Sequence, residues 1–181
     1  MTELELAVEQ FDASSLQAMR EAQSAARSLG HGFIGTEHLL LGAADADSRI
    51  NTALARYVDF PRTYAQRLTY LLQQHPDWAR HVPRKEALAA VGVSLDEVQD
   101  RTEAEFGTNT RVDQDHGPAF TPRAADALRA AASVASAEGR QASAADIAVA
   151  ALSDVQGYAA LTIRDLGAEP TAICSAISTI D

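Results

Sequence analysis

The side chains able to do chemistry in this 181-residue chain are few, and their spacing fits no catalytic or metal-binding motif. No His-Glu-x-x-His pair exists, and His31, His75, His81 and His116 lack the spacing that would bring two imidazoles to one metal ion. His38 directly follows Glu37, where it orients a turn rather than moves protons. No Gly-x-Ser-x-Gly elbow raises a nucleophilic serine. Lys85 is the single lysine and no glycine-rich loop runs into it, so the phosphate cradle of an ATP-hydrolysing P-loop is missing. Cys174 is the single cysteine, which leaves no intramolecular disulfide or thiolate cluster, and its apolar neighbours give it a packing role. The expectation is a protein with no catalytic residue, no metal site and no cofactor.

What remains is a set of polar residues placed where helices should open. Asp12 and Thr36 precede or begin apolar periodic runs, as do Thr121 and Ser143, and each can accept from free backbone N–H groups one turn ahead. Glu37 falls in the first turn after Thr36, and Ser143 with Asp146 is spaced as a capping box. A helix start of this kind attracts an anion, while a carboxylate beside it accepts the paired N–H groups of a guanidinium. The plainer reading of the same residues is that they cap helices and do nothing else.

The elements that must position them are helices. Alanine is abundant, β-branched alternation is scarce, and Asn-Gly or Asp-Gly hairpin signals are rare, so the chain reads as all-α. A first helix starts after the cap Asp12, carries Ala18, Ala22, Ala25, Ala26 and Leu29 at helical spacing, and is broken by Gly30. A second starts near Thr36 and runs through Leu39-Leu40-Leu41. Shifting the chain by 109 positions lays its second half on the first without a gap. Phe11 meets Phe120, Asp12 meets Thr121, Gly30 meets Gly139, Glu37 meets Asp146 and Pro61 meets Pro170, while Leu54, Tyr64 and Leu68 fall on Ile163, Ile173 and Ile177.

Two four-helix units follow, 11–75 and 117–181, separated by an insertion over 76–116 that contains a helix at 94–106 and a linker from Thr108 to Gly117. The first unit has two segments able to close it, one near residue 61 and one near 94. Units that bury each other's apolar faces within one chain make a monomer the expected state.

Composition narrows the partners. A formal net charge of −10 opposes phosphate backbones, so nucleic acid is not expected. No stretch approaches the roughly 18 apolar residues of a membrane span, and the acidic start Met1-Thr2-Glu3-Leu4-Glu5 is unlike a secretory signal, which points to the cytoplasm.

The run Gly30-His31-Gly32-Phe33-Ile34-Gly35-Thr36-Glu37-His38-Leu39-Leu40-Leu41-Gly42 resembles the signature of the Clp amino-terminal repeat. Phe120-Thr121-Pro122-Arg123-Ala124 is similar to the opening of that family's second repeat, and Leu88-x-x-Val91-Gly92-Val93-Ser94-Leu95 to its closing-helix entry. The second signature has decayed to Ser143-Ala144-Ala145-Asp146-Ile147. The chain ends as the second repeat finishes, which suggests an independent relative of the unfoldase N-domains. The resemblance implies two tandem four-helix repeats related by pseudo-twofold symmetry, in a module that binds peptide or protein segments for a Clp unfoldase or its adaptor. It also implies phosphoarginine pockets, one per repeat, pairing Asp12 with Glu37 and Thr121 with Asp146. In the first pocket Asp12 opposes a phosphate and suits unmodified arginine better. Phe120 matches an aromatic position at the groove that holds cyclic-peptide antibiotics, or else packs in the core. The expected roles are therefore substrate or adaptor binding that modulates a Clp protease, an antibiotic decoy, or a structural partner of the motor.

Overall fold

The computed structural model describes residues 8–74 and 118–179, and the expected 94–106 helix, the linker, Lys85, His75, His81 and His116 lie outside them. Eight helices are named among the described residues. The first four are α1 (Ala13–Ser28), α2 (Thr36–Ala46), α3 (Ser48–Ala55) and α4 (Arg62–Gln74). The second four are α5 (Pro122–Ala137), α6 (Ala144–Ser153), α7 (Tyr158–Asp165) and α8 (Pro170–Ile177). The all-α expectation holds, with two-residue strands β1 (Phe33–Ile34) and β2 (Ala119–Phe120) as the named β elements. The helix expected near residue 61 is α4.

Local chemistry sets the helix ends. Asp12 caps α1 by accepting from Ser15 N at 2.8 Å, and Thr121 caps α5 by accepting from Ala124 N at 3.2 Å, with Pro122 at the first helical position. Gly30 and Gly139 end the first helix of each half at φ +73° and +72°, a backbone state that only glycine adopts without strain. Asp12→Ala leaves the Ser15 amide without its acceptor and is expected to cost about 1 kcal/mol. A urea-unfolding midpoint that does not move would contradict this.

The core is centred on α2 and α6, which pack on each other while α1 covers α2 and α5 covers α6. Leu39, Leu40, Ala43 and Ala44 of α2 meet Ile147, Ala148, Ala151 and Leu152 of α6 in one buried cluster. α1 and α2 approach each other closely at Gly42. A Cβ placed on Gly42 would lie 2.1 Å from the Ala18 carbonyl oxygen and 2.5 Å from Ala22 N, so glycine is required for the helices to pack at this depth. The periodic alanines of α1 give the matching small surface. Around this centre α7 packs on α2 and α4, and α8 packs on α6 and α3.

Backbone hydrogen bonds stitch the halves together at two places. β1 pairs in parallel with β2, Phe33 opposite Ala119 and Ile34 opposite Phe120, and Thr121 N donates to Ile34 O at 2.8 Å. On the other side Phe11 bridges Ala142, with Asp12 N donating to Ala142 O at 2.9 Å and Ala142 N to Gln10 O at 2.7 Å. Each half thus ties the start of its first helix to the loop before the second helix of the other half.

The gapless register needs one correction. α1 and α5 differ by 109 at both ends (122 − 13 and 137 − 28), whereas α2 and α6 start 108 apart (144 − 36). The loop from Gly139 to Ala144 is one residue shorter than that from Gly30 to Thr36. Asp146 therefore occupies the position of His38 and not that of Glu37, and both are third in their helix, receiving the N–H of the cap residue.

Candidate functional site

Two regions arise where the halves meet at the starts of α2 and α6. The α2 region faces inward. Gly35, not Thr36, is its N-cap, because Thr36 is already helical and turns its hydroxyl to accept from Ala159 N of α7 at 3.3 Å. His38 Nδ1 accepts the Gly35 N–H at 3.0 Å, so its proton sits on Nε2, 2.8 Å from His31 Nδ1. His31 stacks on Phe33 with ring centroids 5.4 Å apart, and His38 stands edge-on to both rings. Burial first, and then the neighbouring His31, push His38 down to about 3, so this imidazole is neutral. His38 is the turn-orienting residue the sequence suggested.

Glu37 is 1% exposed. Its carboxyl folds back over the helix start, where a Cβ on Gly35 would lie 2.3 Å from both oxygens, and Oε1 has no hydrogen-bond partner. Burial raises it to about 7, against the smaller lowering effects of its own amide and the Thr36 hydroxyl. His38 Nδ1 lies 3.3 Å from Oε1, yet that nitrogen already accepts from Gly35 and has no proton to offer. The contact is not an ion pair. Phe120 is likewise 1% exposed and packs in the core cluster.

The α6 region faces outward. Ser143 and Asp146 form the expected capping box: Ser143 N donates to Asp146 Oδ2 at 2.8 Å, and Asp146 N to Ser143 Oγ at 3.3 Å. The Asp146 carboxylate also holds the Arg140 guanidinium in a forked pair, Nη1 to Oδ2 at 2.5 Å and Nη2 to Oδ1 at 2.8 Å. Arg140 is 43% exposed and Asp146 14%. Burial alone would raise this carboxyl, but hydrogen bonds from Arg140 and Ser143 outweigh it and hold it below the usual range. Asp12 stands on the same side of the molecule. Its Oδ1 accepts from Ser14 Oγ at 2.8 Å, and that hydroxyl accepts from Ala144 N at 3.0 Å.

The expected pairs are therefore crossed. Asp12 does not meet Glu37, because α1 and α2 run antiparallel and these residues lie on opposite sides of the Ala18–Gly42 crossing. Asp12 meets the Ser143–Asp146 turn, and Thr121 meets Ile34 beside Thr36 and Glu37. Thr121 and Asp146 are separated in the same way by the length of α5, and Arg140 follows its far end. The physical reason is the pair of parallel bridges, each of which joins the first helix of one half to the second of the other. Arg140 and Thr162 were not singled out from the sequence, and Tyr64 only as an apolar repeat position, since their partners are remote or unmarked by any motif.

The helical bundle thus carries two polar helix starts at the junction of its halves. Residues 10–78, which include α1 to α4, match the model of the Clp repeat (R) N-terminal domain family. No curated protein matches the chain. Among solved structures, the N-terminal domain of the caseinolytic protease associated chaperone ClpD from Arabidopsis thaliana is similar in fold. It has a TM-score of 0.51 and 18% identity over 94% of each chain. The fold is that of a Clp-type N-terminal module. No described helix is long and apolar enough to cross a membrane, and no group of described His, Cys, Asp or Glu residues could hold a metal ion.

Proposed function

We propose that this protein is a non-catalytic module that binds arginine-bearing polypeptide segments at the start of α6, and so modulates a Clp protease or withholds its substrates and adaptors. The observation that carries this reading is the guanidinium already seated on Asp146 in a forked pair at the surface. Arginine from another chain would need the same geometry, and exchanging one exposed guanidinium for another costs little. Asp12 and Asp146 both face this turn, so unmodified arginine fits better than phosphoarginine, whose phosphate they repel. A decoy for cyclic peptides has no support at Phe120, which is inside.

Calorimetric titration with an arginine-containing peptide tests the proposal. Arg140→Ala removes the competing guanidinium and is expected to tighten binding about two- to fivefold, the worth of an exposed ion pair. Asp146→Asn is expected to abolish the heat, and phosphoarginine is expected to bind more weakly than the peptide. Equal affinity of Asp146→Asn and the parent would overturn the site. It would favour a module that docks on the motor through another face.

A further inference from the structure

Three buried oxygens without hydrogen-bond partners come from three helices of both halves: Glu37 Oε1 of α2, Tyr64 Oη of α4 and Thr162 Oγ1 of α7. Tyr64 links the other two. The Glu37 charge acts on the Tyr64 hydroxyl and the Thr162 side chain lies within its reach, while Thr36 binds Ala159 one turn before Thr162 on α7. Such groups are seldom left unpaired in a native core.

Every group known to face the Glu37 carboxyl is neutral. On α2 itself, His38 directs a proton-free nitrogen at it, with the neutral ring of His31 behind. The Tyr64 hydroxyl faces it from α4, and burial, then the Glu37 charge, hold that phenol well above its ordinary range. The Thr162 hydroxyl of α7, also uncharged, lies beside that phenol. Asp154, on the turn before α7, points near Gly157 and is paired with Arg123. No cation among the described residues pairs with Glu37, and an unpaired carboxylate in such a place is strongly disfavoured, whereas a carboxylic acid is neutral and can donate.

We propose that Glu37 is a proton-binding site at the junction of α2, α4 and α7, protonated in the tightly packed form, and that its ionisation loosens the seat of α7 on α2. The proton supplies a donor that the Tyr64 hydroxyl can accept. Losing it puts a bare charge among groups that cannot neutralise it. The upward displacement of this carboxyl by burial places the change near neutral pH. The device stands apart from the arginine site on α6.

The test is a carbon-detected NMR titration of the Glu37 carboxyl in the full chain, with hydrogen exchange of the α7 amides at pH 6 and pH 8 after correction for intrinsic rates. The carboxyl is expected to titrate near 7. Protection at Ala159, Thr162 and Ile163 is expected to fall at least tenfold between the two pH values in the parent and to stay level in Glu37→Gln. A carboxyl titrating between 4 and 5, or unchanged protection in the parent, would overturn the proposal even if the variant failed to fold.

Discussion

Gly42→Ala is expected to destabilise the protein by on the order of 3 kcal/mol or more, the upper end for forcing a methyl into a packed core. The added carbon would meet the Ala18 carbonyl oxygen at 2.1 Å and Ala22 N at 2.5 Å, and both are helix backbone that no rotamer change can move aside. Relief requires α1 and α2 to separate, which also loosens the seating of Leu39, Leu40 and Ala43 in the cluster shared with α6. At this chain length the melting temperature should fall by about 6–12 °C. Gly32→Ala is the control, since a Cβ there meets nothing within 4 Å, and it should leave the melting temperature near that of the parent. Equal melting of the two variants would show that the helices do not approach as described.

Glu37→Gln is expected to stabilise the protein at pH 8 by about 3 kcal/mol relative to the parent and to have little effect near pH 4.5, because a shift of about 2.5 units is worth that much. Glu37 is raised from 4.5 to about 7, so its contribution to stability is fully present below 4.5 and is lost as pH rises to about 7. His38 acts in the opposite sense. It is lowered from 6.5 to about 3, so its contribution is present above 6.5 and is lost as pH falls toward 3. Between pH 4.5 and 6.5 the two slopes cancel in the parent, and removing Glu37 uncovers the His38 slope. Urea unfolding of both proteins from pH 4.5 to 8 measures the difference directly. A gap that does not grow with pH would mean that Glu37 is hydrated or paired in the folded state.

Most of the architecture was legible because it is written in local chemistry. Asp12, Thr121-Pro122 and the Ser143–Asp146 box announce helix starts, and Gly30 and Gly139 announce stops, through backbone groups within a turn of the residue itself. The one-residue register slip was hidden. A single deletion in a short loop changes no helix pattern, yet it moves Asp146 from the place of Glu37 to that of His38.

The site was less legible, because ligand-binding and capping residues have the same types at the same spacings. Exposure separates them, and exposure is set by contacts far along the chain. Glu37 is covered through contacts with α4 and α7, and Phe120 through its pairing with Ile34. Asp146 stays near the surface, and its partner Arg140 stands six residues away across a turn that no periodicity marks. The crossed arrangement of the caps follows from two parallel bridges only two residues long or shorter, too brief to leave a strand pattern.

The measurement that bears most directly on the central claim is an amide chemical-shift map of the full chain titrated with an arginine-containing peptide. The account predicts saturable shifts centred on Ser143 to Asp146 and on Ser14, with the Arg140 side-chain signals moving as that guanidinium is displaced. Shifts confined to another face, with Arg140 and the start of α6 unmoved, would contradict it.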